Sequence, residues 1–195
     1  MAAALAALAG SYAEAERRTA EARQAGTRAG DRNADLFSEM LRFNVQLMRG
    51  DFAAMDIAFV EDKIASSLAG PAYRGSYAWI LAGRGELEHA RSELDAAVTH
   101  EHAFDANWLS TQAECAEVAV LLDDPTHPAT LYQRLAPYAG RPVTAGRAVT
   151  SYGAVDRHLG GLAALLGRHD DAERHLRAAI VRNDELGCDV WREHT

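Results

Sequence analysis

Lysine is almost missing from this chain: Lys63 is the only one among 195 residues, and the 20 basic residues, otherwise all arginine, face 28 acidic ones for a net charge of -8. That balance argues against direct nucleic-acid binding, whose affinity comes mainly from neutralising phosphates with Lys and Arg. Cysteine is scarce too. Cys115 and Cys188 lie far apart with no CxxC or CxxH neighbour, which excludes a disulfide framework and a zinc signature and fits a reducing, cytoplasmic setting. Prolines number five, aromatics make up 7%, and few runs favour strands. Composition is that of a globular protein, with no membrane span. The alanine-rich start at residues 2–9 has no basic n-region and runs into a charged stretch, so it reads as a helix and not a signal peptide.

Chemical signatures are missing as well. There is no GxxxxGK[ST] phosphate loop, no GxSxG elbow and no segment that reads as a helix-turn-helix. No cofactor and no catalytic residue are expected, and the chain reads as a non-enzyme.

What is abundant is alanine, about a fifth of the chain and the best helix former, so an all-α fold leads. Self-similarity gives that helix content an order. A glycine, then a bulky residue two positions on and a small residue five positions on, recurs as Gly10, Tyr12 and Ala15, as Gly85, Leu87 and Ala90, and as Gly167, His169 and Ala172. A weaker copy begins Gly50, Phe52. Extending the last copy gives Leu159, Gly160, Ala163, Leu176 and Ala179, offsets that resemble the tetratricopeptide pattern. Small residues in that pattern let two antiparallel helices approach, and larger ones fill the space towards the next repeat. Residues 105–122 keep a helical period; Asp123, Asp124 and Pro125 end that helix, and Pro128 starts another, so the fourth pair has a proline-marked turn. Residues 138–150, with Gly140, Pro142 and Gly146, read as irregular chain. The expected architecture is one domain over residues 1–195: a right-handed superhelix (solenoid) of about five antiparallel helix hairpins at about 1–30, 31–68, 70–102, 104–138 and 151–187. The caps look short. This points to a segment of a longer protein, or to ends that pair, and apolar edges at Leu5, Leu8, Val190 and Trp191 suggest a homodimer through the terminal helices.

Leu135, Pro137, Tyr138, Ala139 and Arg141, then Gly153, Val155, Arg157, Leu159 and Gly160, then Asn183, Leu186, Gly187 and Trp191 form a more specific set. Over about residues 108–191 the chain resembles the C-terminal tetratricopeptide-like region of large actinobacterial regulators, in which an AAA-type or STAND-type ATPase is joined to a LuxR-type helix-turn-helix or a cyclase domain. The resemblance implies a sensor or scaffold segment with a protein or peptide partner, such as the regulator's ATPase or helix-turn-helix part. ATP hydrolysis and DNA binding do not carry over, because their motifs are missing.

By the repeat alignment the concave face presents Met40, Asn44, Leu47, Trp79, Glu114, Arg157 and Gly161, with Phe37 and Arg74 at its edge. Trp79 and Arg157 are the residue types that dominate hot spots, although Trp79 equally suits packing between repeats. The alternative to a protein-interaction module is an effector sensor that takes a peptide or small ligand in this groove. His100, Glu101 and His102 are a metal pair without a third ligand at helical spacing, so no metal site is expected. His169 reads as packing, Cys115 as core and Cys188 as exposed, while Asp123, Asp124, Asp170 and Asp171 read as helix caps.

Overall fold

The computed structural model describes residues 2–66, 70–100, 104–145 and 149–195. Within them the chain is mostly helical. The described residues run through α1 (Ala2–Leu8), α2 (Tyr12–Arg28), α3 (Ala34–Arg49), α4 (Ile57–Ser66), α5 (Gly70–Gly83), α6 (Leu87–Thr99), α7 (Trp108–Leu121), α8 (Pro128–Leu135), α9 (Val155–Leu165) and α10 (His169–Glu185). α1 packs with α2, α5 with α6, α7 with α8 and α9 with α10, whereas α3 packs on α2 and α4 on α5. A short α11 (Asp189–Glu193) follows. None of the described helices is long and apolar enough to cross a membrane.

One turn geometry ends most of these helices. At Gly10, Gly30, Gly50, Gly85, Gly167 and Gly187 a left-handed residue donates its amide to the carbonyl three residues back, and the next amide reaches the carbonyl five back. These paired bonds satisfy carbonyls that the helix end would leave orphaned. The fourth pair differs in residue and not in geometry. Asp123, at φ 49°, is the one described non-glycine residue with positive φ, and its amide and that of Asp124 make the same bonds to Val120 and Ala119. Asp124 then accepts the His127 amide at 2.8 Å, ahead of Pro128 at the start of α8.

The small positions of the repeat lie at helix crossings. Ala15 and Ala90 are fully buried and Ala172 nearly so. At Gly160 a Cβ would stand 2.5 Å from Leu176 Cδ2, so α9 and α10 meet only because no side chain is present there. The larger apolar residues form a continuous core from Leu8 through Val45, Ile80, Leu94, Leu131 and Leu159 to Trp191. Its middle is α7, which packs against α5, α6, α8 and α9 and buries residues all round its N-terminal half, as a helix enclosed by others must.

The stretch expected to be irregular holds the main departure. Strand β1 (Pro142–Ala145) pairs antiparallel with β2 (Thr150–Ala154), so the fold is mostly helical with a two-stranded sheet. Every residue of β2 is buried. Side chains from the C-terminal helices tie its backbone: Trp191 Nε1 donates to the Ser151 carbonyl at 2.7 Å, and the Ala154 amide donates to Asn183 Oδ1 at 2.8 Å. Gly153, at φ 77°, lies so close that a Cβ there would stand 2.8 Å from both Asn183 Oδ1 and Trp191 Cβ.

Three local expectations are corrected. Val190 and Trp191 are not open edges: α11 packs on α1, with Val190 Cγ2 3.9 Å from where a Gly10 side chain would begin, and only Leu5 of that set stays exposed. Cys188 is buried, not exposed, and burial raises its thiol pKa. His169 points to solvent, because it occupies the first turn of α10 outside the helix crossing. Cys115 is core as expected.

Candidate ligand-binding site

The residues expected on one face separate into three places. Phe37, Met40 and Asn44 on α3 and Glu114 on α7 line one cavity of about 510 Å³. Trp79 and Arg157 lie outside it, buried against the inserted hairpin and α11. The Trp79 ring meets Tyr152 edge-on at 5.8 Å and Trp191 at 6.4 Å, while the Arg157 guanidinium stands 4.7 Å over the Trp191 ring. Arg74 is half-buried and paired with Glu93 of α6. Leu47 is core, and Gly161 faces Val120.

The cavity opens between α3, α4, α5 and α7, with Ala145 of β1 and Tyr152 of β2 completing it. Its walls are apolar and aromatic: Leu36, Phe37, Met40, Phe43, Phe59 and Tyr73. Asn44, Ser76, Glu114 and Tyr152, all buried, form one polar cluster at its base, while Asn33, Asp105, Asn107, Ser110 and Thr111 line it elsewhere. Tyr152 Oη lies 2.8 Å from Glu114 Oε1 and 3.1 Å from Asn44 Oδ1, Ser76 Oγ donates to the same Glu114 oxygen at 2.8 Å, and Asn44 Nδ2 donates to the Met40 carbonyl at 2.7 Å. Burial pushes the Glu114 carboxyl up to about 7, against the two hydroxyls, which favour its charged form.

A second buried charge group lies one helical turn on. Glu117 Oε1 is 2.8 Å from Arg157 Nη2 and 2.9 Å from His158 Nδ1. Burial opposes ionisation of Glu117, but the Arg157 charge and His158 outweigh it and hold the carboxyl down at about 2. His158 is lowered by burial first and by Arg157 next, so it is neutral near pH 7. Arg157, a candidate for partner contact, is thus committed inside the fold.

No family model, curated protein or solved structure matches the chain. The site is therefore read from its own residues.

Two further side-chain constellations have the order of catalytic relays. His175 Nδ1 meets Asp156 Oδ1 at 2.7 Å and His175 Nε2 meets the Tyr132 hydroxyl at 3.0 Å; His127 bridges Asp124 at 2.9 Å and Asp95 at 3.2 Å. Neither lines the cavity, and each ties helices together, His175 joining α8, α9 and α10. Among the described residues no group of three His, Cys, Asp or Glu side chains is placed to hold a metal. His100 bonds the Ala96 carbonyl at the end of α6, whereas Glu101 and His102 lie outside the described residues.

Sequence reasoning missed Ser76, Tyr73, Phe43, Phe59 and Tyr152. Ser76 was findable, since it lies three residues before Trp79 and shares its side of α5. Tyr152 carried no helical signal, because it reaches the cavity from a strand.

Proposed function

We propose that the chain is a tetratricopeptide-like module, a right-handed helical solenoid of five hairpins, that senses a small ligand in the α3–α5–α7 cavity. In this reading it is non-catalytic, cytoplasmic, and linked to a larger regulator of the ATPase and LuxR-type class. The observation that carries the ligand reading is the cavity: apolar walls, a volume within the range of small-molecule sites, and a hydrogen-bonded cluster of buried polar groups around Glu114. A volume of about 510 Å³ suits a small molecule better than a peptide.

Thermal-shift screening of a metabolite library tests this, because a ligand that binds only the native state raises the melting temperature. Hits are expected on the wild type and lost in Ala72→Phe, which fills the cavity from α5. A library that gives no shift, or hits indifferent to Ala72→Phe, would remove the reading.

The second reading, a docking module for another domain of the regulator, is favoured by the exposed Leu36 and Phe37 at the cavity rim and by Phe104, 75% exposed. Crosslinking to the cognate ATPase or helix-turn-helix part should then capture Phe37 or Phe104. Absence of any crosslink under all nucleotide conditions would count against it.

A further inference from the structure

The donors and acceptors at the cavity base are unevenly shared. Ser76 gives its one hydroxyl proton to Glu114, and the Tyr152 proton goes to Glu114 or Asn44. Asn44 already directs one amide proton to the Met40 carbonyl. A guest therefore meets mostly lone pairs and a carboxyl group. Of the described residues lining the cavity, Glu114 and Asp105 are the acids, and none is Lys, Arg or His. Asp105, at the exposed rim, accepts the Asn107 amide. Phe43, Phe59 and Tyr73 also line the cavity, and aromatic faces attract cations, as Phe59 does with Lys63 Nζ at 5.1 Å from its ring centroid.

We infer that the ligand is a small organic cation, a protonated amine on a compact aryl or alkyl body, whose ammonium seats against Glu114 while its body fills the aromatic wall. The inference rests on the ligand-binding reading above and names the chemical class of the guest. An ammonium brings up to three donors to an acceptor-rich base and neutralises a carboxylate that burial otherwise penalises. An anion finds no Lys, Arg or His among the described lining residues. A neutral guest fills the walls but leaves the carboxyl uncompensated.

Three probes on one phenylethyl body separate these cases: 2-phenylethylamine, 2-phenylethanol and 3-phenylpropionate, each titrated calorimetrically into the full chain at about pH 8, where Glu114 is ionised. The amine should bind about tenfold or more tighter than the alcohol, the usual advantage of a charge-assisted contact, and the acid should not bind. In Glu114→Gln, which keeps an oxygen for Ser76 and Tyr152, the amine and alcohol should agree within about twofold. Continued binding of the alcohol shows that the cavity of that variant is intact; should the variant not fold, the ranking of the three probes on the wild type decides alone. An alcohol as tight as the amine, or a bound acid, overturns the inference while leaving the cavity a ligand site. If none of the three binds at millimolar concentration the inference also falls, and the library screen alone then decides the ligand reading.

Discussion

The Tyr152 hydroxyl lies 2.8 Å from Glu114 Oε1 although 38 residues separate the two, and this bond joins the inserted strand to the most enclosed helix of the fold. Tyr152→Phe keeps the ring against Trp79 and removes the one donor shared by Glu114 and Asn44. Because both acceptors are buried, the loss should cost about 1–3 kcal/mol, measured as a shift in the urea midpoint at constant slope. A change below about 0.5 kcal/mol, the scale of ordinary surface substitutions, would show that water replaces the hydroxyl.

Glu114 sets a pH dependence with a definite sign. Its carboxyl rises from 4.5 to about 7 on folding, so the fold binds a proton that the unfolded chain has released. Its stabilising contribution is full below about pH 4.5 and is lost as pH rises through about 7, by up to about 3 kcal/mol. The groups facing it, Ser76, Tyr152 and Asn44, do not themselves ionise in that window. Glu114→Gln should therefore be more stable than the wild type at pH 8, with the advantage shrinking towards pH 5. Parallel melting curves for the two proteins across that range would refute this. Glu117 acts in the opposite sense: held at about 2, it contributes stability above 4.5 that is lost as pH falls towards 2.

Asp123→Gly should stabilise the protein. Asp123 holds the left-handed turn that glycine holds at the matching ends of the other hairpins, and an L-residue there costs about 1 kcal/mol. Chemical denaturation should show a gain of about that size. A loss would mean that the Asp123 side chain does something in the turn beyond tolerating its φ.

Trp191 should be among the costliest truncations in the chain. It is buried against Trp79, Tyr152 and Arg157 and donates to Ser151, so Trp191→Ala should cost about 3–5 kcal/mol. Leu87→Ala, at a bulky repeat position that is 47% exposed, serves as contrast and should cost less than about 1 kcal/mol. Similar losses for the two would contradict the packing described for the C-terminal helix.

Much of the helix order was legible because it rests on local rules. Gly10, Gly85 and Gly167 announce left-handed turns, and Ala15, Ala90 and Ala172 mark crossings where any larger side chain would hold two helices apart. Phe37, Met40 and Asn44 share a cavity wall because positions three and four apart lie on one side of α3, and Glu114 meets them from α7. The hairpin was not legible. Residues 150–154 show no alternation, since β2 is buried on both faces, and what fixes it is a set of bonds from Trp191 and Asn183, far along the chain. Gly140 and Pro142 look alike at a loop and at the entry to a buried strand. The same long-range packing hid the fate of Trp79, Arg157 and Trp191.

The meeting of α11 with α1 changes how the molecule should come apart. In an open row of repeats each unit touches only its neighbours, and melting can begin at either end and stop part-way. Here the last helix covers the first, and Tyr152 reaches α3, α5 and α7 at once. Neither α1 nor α11 is then free to fray alone, and loss of α1 uncovers Val190 and the strand behind it. Calorimetric and van't Hoff enthalpies should accordingly agree, as for a single all-or-none transition.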